Sequence, residues 1–269
     1  MNKYKSLTPN PSPHREVKIY WWCQVCNLTL KEFVFVGIII ITNLSLTTFS
    51  QQTTFERWHN TDVLIRDNKI DKDDAIDSIK KFVELAKKEL ALPGFIPTEK
   101  VNWVYPITGW TWNSYRTNGK DYKAERFDYF QGGEYHGHPA HDIFILDNDS
   151  NGVEDSTLQK VTAVAMVNGV VISLYNDWKI GGLLRSGNYV KIFDPETEAI
   201  FYYSHLDTVF VNVGDFVNAG ESIAYVGRTG RKAIHGKTHL HIAYYKIKNG
   251  YPKPVDIIEE LYSCDKKPK

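Results

Sequence analysis

The stretch AIFYYSHLDTVFVNVGDFVNAGESIAYVG, residues 199–227, contains three short runs of β-branched and aromatic residues separated by Asp and Gly. Short runs of this composition, bounded by turn residues, are typical of β-strands. Similar runs flank it, NYVKIF at 188–193 and THLHIAYYKI at 238–247. No helical pattern separates these runs, so the sequence predicts a mostly β domain, built as an antiparallel β-barrel or sandwich.

Upstream lies a pair of alternating runs, VTAVAMVNGVVISLYND at 161–177, joined at Asn168-Gly169. An Asn-Gly pair between two alternating runs is a strong signal for a two-residue hairpin turn. The sequence therefore predicts that these two runs pair with each other.

One helix is predicted before the β domain. DKDDAIDSIKKFVELAKKELAL at 71–92 has apolar residues at helical spacing, with acids at its start and lysines toward its end, which suits the helix dipole. We expect an accessory helical segment at 51–98, a β domain at 99–262 and a polar tail at 263–269.

The first fifty residues differ from the rest. A Pro- and Ser-rich start is followed by an apolar run within 33–49. This run is shorter than the roughly 20 residues of a membrane span and suits the apolar part of a signal peptide, with a membrane anchor as the alternative. Both interpretations predict that segment 1–50 engages the membrane or the secretion machinery. Both also predict export of the remainder to the cell envelope, in the periplasm or outside the cell.

Charge and cysteine content limit the function classes. Lys plus Arg equals Asp plus Glu at 32 each, which argues against a nucleic-acid partner bound through bulk positive charge. Cys23 and Cys26 form a lone CxxC with no second pair to complete a zinc knuckle. Cleavage near Ser50 would leave Cys264 without a partner for an intrachain disulfide.

Histidines are concentrated in the β region, in the stretches HPAHD at 138–142, YYSHLD at 202–207 and THLH at 238–241. Residues two apart on a strand share a face, so His239 and His241 can address one point. Zinc binds His nitrogen and Asp oxygen, and a catalytic zinc site needs three protein ligands with an open position for water. One histidine of the HxH pair, with the His and Asp of HxxxD, provides that set.

These three motifs, in this order and with the connector GDFVNAGESIAYVGRTG at 214–230 between the last two, resemble the lysostaphin/LytM-type zinc metallopeptidases. The resemblance covers roughly residues 103–247. It implies one zinc ion per chain and hydrolysis of peptide bonds in bacterial peptidoglycan cross-links or stem peptides by a zinc-activated water. By position, it implies three zinc ligands and two catalytic histidines: His138, Asp142 and His241 as ligands, and His205 and His239 beside the metal.

An alternative function within the same resemblance is a non-catalytic binding module that regulates other wall hydrolases, as in relatives that have lost zinc ligands. All five site positions are filled here, which favours an enzyme. One departure is Ala140, where the family usually has glycine two residues before the ligand Asp. His136 and His141 are interpreted as loop residues or as residues that support the ligands.

Two further patterns leave alternatives open. Asp147, Asp149 and Asn151 resemble the first half of a calcium loop, but Leu158 stands where the closing glutamate belongs, so a solvated acidic turn competes with a calcium site. A cluster of aromatic residues predicts either a substrate groove or core packing; its members are Trp103, Tyr105, Trp110, Trp112 and Tyr115. The connector also resembles the hairpin of lipoyl and biotinyl carrier domains, but the lysine motif of those domains is missing.

Overall fold

The computed structural model describes residues 52–91, 103–109, 114–132 and 136–265. Predictions that concern the apolar run at 33–49, Cys23 and Cys26, and Trp110 and Trp112 lie outside these residues. Within the described part of the chain, no helix has both the length and the apolar character needed to cross a membrane.

Antiparallel strands dominate the described residues. The main sheet has the order β1-β8-β5-β4-β3-β6, with β9 also paired to β8. Its strands are β1 His141–Phe144, β3 Gly169–Tyr175, β4 Asn188–Asp194, β5 Ala199–Leu206, β6 Phe216–Val217, β8 His239–Lys248 and β9 Tyr251–Val255. A second sheet pairs β2, Thr162–Val164, with β7, Ser222–Tyr225. The mostly β prediction is confirmed. The main sheet does not close on itself, so the sandwich describes the fold and the barrel does not.

The first hydrophobic core lies between the two sheets. Side chains of the main sheet, including Phe201 and Tyr203, pack against Ala163, Ile223 and Val226 from the region of the small sheet. The C-terminal helix α3, Ile258–Asp265, closes this core with Leu261, which is fully buried. The sequence analysis did not predict this helix.

The opposite face of the main sheet is partly covered by two helices, α1 Thr54–Arg66 and α2 Lys72–Leu90. Helix α2 was predicted, and Asp71 caps its start by accepting a hydrogen bond from the backbone N–H of Asp73. Helix α1 was not predicted. It begins with a capping box between Thr53 and Glu56, and it buries Trp58 against Phe193 with ring centroids 5.0 Å apart.

The predicted hairpin at Asn168-Gly169 is wrong. The run before it forms β2, which pairs with β7, and the run after it forms β3, which pairs with β4 and β6. The Asn168 side chain accepts a hydrogen bond from the backbone N–H of Ala219, and the chain crosses from one sheet to the other at this point. A real Asn-Gly hairpin occurs at Asn249-Gly250 between β8 and β9, where both residues have the positive φ angles, 51° and 81°, that a type I′ turn requires.

Candidate metal centre and its cleft

Strand pairing brings the two histidine motifs together. In the register between β1 and β8, Asp142 lies opposite His241, and Phe144 lies opposite His239. On the other side of β8, His241 lies opposite Ser204 of β5. Side chains two apart on a strand share a face, so His239, His241 and Asp142 all project from the same face of the sheet.

The three predicted zinc ligands form a cluster. His138 Nε2 and His241 Nδ1 each lie 3.0 Å from Asp142 Oδ1. The potential ligand atoms of the three residues lie within 4.8 Å of one another. Two imidazole nitrogens and one carboxylate oxygen are a donor set that zinc accepts.

The two predicted catalytic histidines stand beside this cluster. His205 and His239 have ring centroids 4.8 Å apart, and His239 Nε2 lies 3.8 Å from Asp142 Oδ1. Each ring is held by a backbone carbonyl: His205 Nδ1 lies 2.8 Å from Thr229 O, and His239 Nδ1 lies 2.7 Å from Lys237 O. A carbonyl oxygen only accepts, so both rings carry their proton on Nδ1 when neutral and leave Nε2 as an acceptor.

The backbone around His205 is specialised for this position. His205 has φ = 64°, a left-handed conformation that is uncommon for residues other than glycine. The loop that supplies the Thr229 carbonyl lies so close to Gly187 that a Cβ on Gly187 would be 2.4 Å from Thr229 O. Glycine at 187 therefore lets this carbonyl approach, and the carbonyl orients the His205 ring.

Two residues that the sequence analysis missed support the cluster. Asp121 accepts a hydrogen bond from the backbone N–H of Asp142 at 3.2 Å, and its backbone carbonyl lies 3.1 Å from His138 Nδ1. Arg116 donates from Nη1 to Asp142 Oδ2 at 2.9 Å. Neither residue belongs to a local motif with the histidines, so only the fold reveals these contacts.

Burial and hydrogen bonding shift the pKa values of these groups in different directions. Burial alone would raise the pKa of Asp142, but hydrogen bonds from His138 and His241 hold it well below its usual value. Burial lowers the pKa of His205 and of His241. Burial also opposes protonation of His138, but its hydrogen bond to Asp142 outweighs this and raises the pKa.

The neighbouring histidines stand apart from the cluster. His141 is 1% exposed and lies between Asp121 and Asp256, with Nε2 2.9 Å from the Asp256 carboxylate. It follows the strand alternation and points away from the face that carries Asp142. His136 is exposed.

The calcium prediction gains no support. Asp147 accepts hydrogen bonds from the backbone N–H groups of Asn151 and Gly152, and Asp149 accepts from Asn151 as well. Carboxylate oxygens of Asp147, Asp149 and Asp155 lie within 4.8 Å of one another. Internal hydrogen bonds of this kind hold an acidic turn together without an ion.

Three of the five clustered aromatic residues fall in the described part of the chain, and all three pack in the core between the sheets. Trp103, Tyr105 and Tyr115 are 8%, 8% and 5% exposed. For these three, the packing interpretation holds.

An open cleft of about 820 Å³ contains the cluster and the two neighbouring histidines. Its walls come from residues 116–127, from β1 and its preceding loop, from the loop at 185–186 and from the loop at 232–237. Tyr202 and Tyr245 provide aromatic surface at its floor. None of the described residues 52–91 lines this cleft, so helices α1 and α2 cover a different part of the same face.

Residues 148–256 match the sequence model of peptidase family M23. Over this range, about two fifths of its length, the chain is similar to family M23. This match confirms the resemblance to lysostaphin- and LytM-type proteins, and the matched family is one of hydrolases. The matched range includes His205, His239 and His241 but begins after Asp142, so the placement of His138 and Asp142 rests on the geometry above.

Several solved structures are similar to this chain. A zinc-containing peptidase from Vibrio cholerae is 23% identical, with 58% of this chain and 39% of that chain covered and a TM-score of 0.38. The antimicrobial peptidase lysostaphin from Staphylococcus simulans is 20% identical, with 61% and 55% covered and a TM-score of 0.37. LytU is 29% identical, with 49% and 79% covered and a TM-score of 0.33. The chain thus spans well under two thirds of the first two proteins.

Proposed function

We propose that this chain is a zinc-dependent endopeptidase that hydrolyses peptide bonds in the cross-links or stem peptides of bacterial peptidoglycan. The observation that supports this most directly is the cluster of His138, Asp142 and His241 in an open cleft, with His205 and His239 beside it. The M23 match supports the peptidase class, and the presence of the expected residue at every site position supports metal-dependent hydrolysis.

The residues of the cluster fit a zinc ion by their chemistry. His138, Asp142 and His241 would hold it, and the Asp121 carbonyl would fix the His138 ring so that Nε2 faces the metal. When bound, zinc would polarise the scissile carbonyl and lower the pKa of its water from 15.7 to about 7.

The protein's own residues would transfer the protons and position the substrate. His205 and His239 each present an unprotonated Nε2 in the neutral state, because their Nδ1 protons are donated to backbone carbonyls. Each can accept a proton at Nε2 and return it to a leaving amine, and each can donate to a developing oxyanion once protonated. Tyr202 and Tyr245 bound the floor on which the peptide would lie.

A non-catalytic binding module would need the cleft but not the complete ligand set. All three ligand positions are filled and lie within reach of one ion, which favours the enzyme. Peptidoglycan lies outside the cytoplasmic membrane, so this function also implies export, for which we propose segment 1–50 as the signal or anchor. Residues 51–98 would be an accessory segment and residues 99–262 the peptidase domain.

The test is zinc content, by elemental analysis, combined with turnover of purified peptidoglycan. It compares the wild-type protein with the variants His241→Ala and His239→Ala. We expect about one zinc per chain in the wild type, loss of zinc in His241→Ala, and retained zinc with lost turnover in His239→Ala.

Two results would contradict the proposal. A wild-type protein that binds no zinc and releases no peptide from peptidoglycan would leave only the binding module. A His239→Ala variant with wild-type turnover would remove His239 from the catalytic group while leaving the metal site intact.

A further inference from the structure

The cleft is much more basic than the protein as a whole. The chain has 32 cationic and 32 anionic side chains, yet among the residues that the structure describes, the cleft is lined by six cations and two acids. The cations are Arg116, Lys120, Lys123, Arg185, Lys232 and Lys237. Because cationic and anionic side chains are equal in number over the whole chain, the excess of cations is specific to the cleft.

Both acids of the cleft are already engaged. Asp142 is 3% exposed and is bonded to His138, His241 and Arg116. Asp121 is 8% exposed and is bonded to the backbone of Asp142 and to His141. Neither carboxylate faces the solvent, so neither offers the lysines of the cleft an ion-pair partner at the surface.

Most of these cations come from two separate segments that flank the metal cluster: residues 116–123 pair with His138 through Lys123, and the loop at 232–237 follows Gly230, which lies beside His205. Arg116, Lys120 and Lys123 belong to the segment that precedes β1, and all three are exposed. Lys232 and Lys237, also exposed, belong to the loop that leads into β8. A substrate that crosses the cluster must therefore pass between two basic walls.

A cleft lined with charge of one sign concentrates field lines and attracts ligands of opposite charge. Lysine ammonium groups and arginine guanidinium groups are the usual partners of carboxylates in proteins. A neutral peptide, such as one made of glycine alone, would offer no counter-charge to the exposed lysines Lys120 and Lys232 when it displaces water from the cleft.

We propose that the cleft selects peptides with free carboxylates on both sides of the scissile bond, and that Lys120 and Lys232 determine this specificity from the two walls. This inference rests on the proposed peptidase function and names the substrate class within it. Amidation of the same carboxylates removes the negative charge and makes a poor substrate.

The test uses the full chain loaded with zinc and two synthetic cross-linked peptides of identical sequence. One peptide has free carboxylates beside the scissile bond, and the other has primary carboxamides there. We measure kcat/KM for cleavage of each, and the dissociation constant of each by calorimetry. At low ionic strength the carboxylate peptide should be favoured by about tenfold or more in kcat/KM. The preference should fall at 0.15 M salt, where the screening length is about 8 Å.

A double variant, Lys120→Gln with Lys232→Gln, should reduce this preference severalfold. The matched control is Lys248→Gln with Lys253→Gln, which changes the net charge equally at exposed positions outside the cleft. The control should keep the wild-type preference.

The outcomes separate the two proposals. Equal cleavage of both peptides by the wild type would overturn the selectivity while leaving the peptidase function in place. Cleavage of neither peptide would argue against the peptidase function, and the two dissociation constants would then decide the selectivity. Equal dissociation constants would overturn it, and tighter binding of the carboxylate peptide would support it.

Discussion

One face of the main sheet has two parts, one open to the cleft and one covered by helices α1 and α2. Along β8, the side chains of His239 and His241 project into the open cleft, whereas Ala243 and Ile247 of the same face belong to the core that α1 and α2 cover. The covered part and the open part therefore differ in what lies above the sheet, while the strands below them are continuous.

Each part contains a buried carboxylate, and the two carboxylates have different hydrogen-bond and ion-pair partners. In the covered part, Asp62 is 1% exposed and pairs with Lys191 at 2.5 Å. The Lys191 ammonium also lies over three tyrosine rings, those of Tyr129, Tyr189 and Tyr202. In the open part, Asp142 shares its oxygens among two histidines and an exposed arginine.

This difference shows how burial assigns a role to the same chemical group. A carboxylate locked to one ammonium in a closed core serves stability and offers nothing to a ligand. A carboxylate that faces imidazole nitrogens in a cleft is placed to bind a metal. Tyr202 lies between the two parts, 5.3 Å from the Lys191 ammonium and 6.2 Å from the His241 ring.

The largest expected effect is on catalysis in the open part. In His205→Asn, kcat on peptidoglycan should fall by about 10²–10⁴-fold, the usual contribution of a positioned acid or base. Asparagine is chosen because it tolerates the positive φ of His205. Zinc content by elemental analysis should not change. The control, His235→Asn, alters an exposed histidine outside the cluster and should leave kcat unchanged. Loss of zinc in His205→Asn would show that His205 is a ligand.

The next effect is on stability in the covered part. Lys191→Ala leaves the buried Asp62 carboxylate without its cation and should lower the free energy of unfolding by about 3–5 kcal/mol, measured by urea denaturation. Lys248→Ala removes an exposed lysine and should change it by less than about 0.5 kcal/mol.

The same variant sharpens the comparison between the two parts. If they are independent, Lys191→Ala keeps its zinc at temperatures where it remains folded. If zinc affinity falls together with stability, Tyr202 transmits the change to His241, and the two parts are coupled. Replacing the pair by Asp62→Leu with Lys191→Met should recover most of the lost stability, because an apolar pair needs no buried counter-charge.

A smaller effect is expected on zinc affinity. Asp121→Asn weakens the acceptor for the backbone N–H of Asp142 and should lower zinc affinity by about 10–100-fold, measured by competition with a chelator. Asp256→Asn is the matched control, because Asp256 contacts His141 from the other side and does not touch the cluster. Equal losses in the two variants would mean that the effect passes through His141.

The core of the site was predictable because its information is local. HxxxD fixes the spacing of His138 and Asp142, HxH fixes that of His239 and His241, and strand alternation gives the direction of the HxH side chains, while the pairing of β1 with β8 brings the two motifs together. Arg116 and Asp121 were not predictable in this way. Their contacts with Asp142 depend on where the chain before β1 returns to the sheet, which no spacing in the sequence encodes.

The errors in the fold have similar causes. Asn168-Gly169 and Asn249-Gly250 each lie between two strands, and of these two pairs only Asn249-Gly250 has positive φ angles at both residues, as a hairpin turn requires. At Asn168-Gly169 the competing pairing of β2 with β7 prevails, because it closes the second sheet over the core. Helix α1 was not predicted because the sequence shows no apolar stripe there. Two of its four buried residues, Thr54 and Asp62, are polar.

The smallest effect concerns the pH dependence of stability in the covered part. Burial alone would raise the pKa of Asp62, but the charge and hydrogen bond of Lys191 lower it below its usual 3.8. A carboxyl group with a lowered pKa in the folded state stabilises the protein above its unfolded pKa, and this contribution is lost as the pH falls. Urea denaturation of the wild type and Asp62→Asn should therefore show the largest stability difference at neutral pH. The difference should narrow as the pH falls below about 4, where the unfolded carboxyl group takes up a proton. A difference that stays constant down to pH 2 would mean that Asp62 takes up its proton over the same pH range in the folded and unfolded states, and that the pair with Lys191 does not lower its pKa.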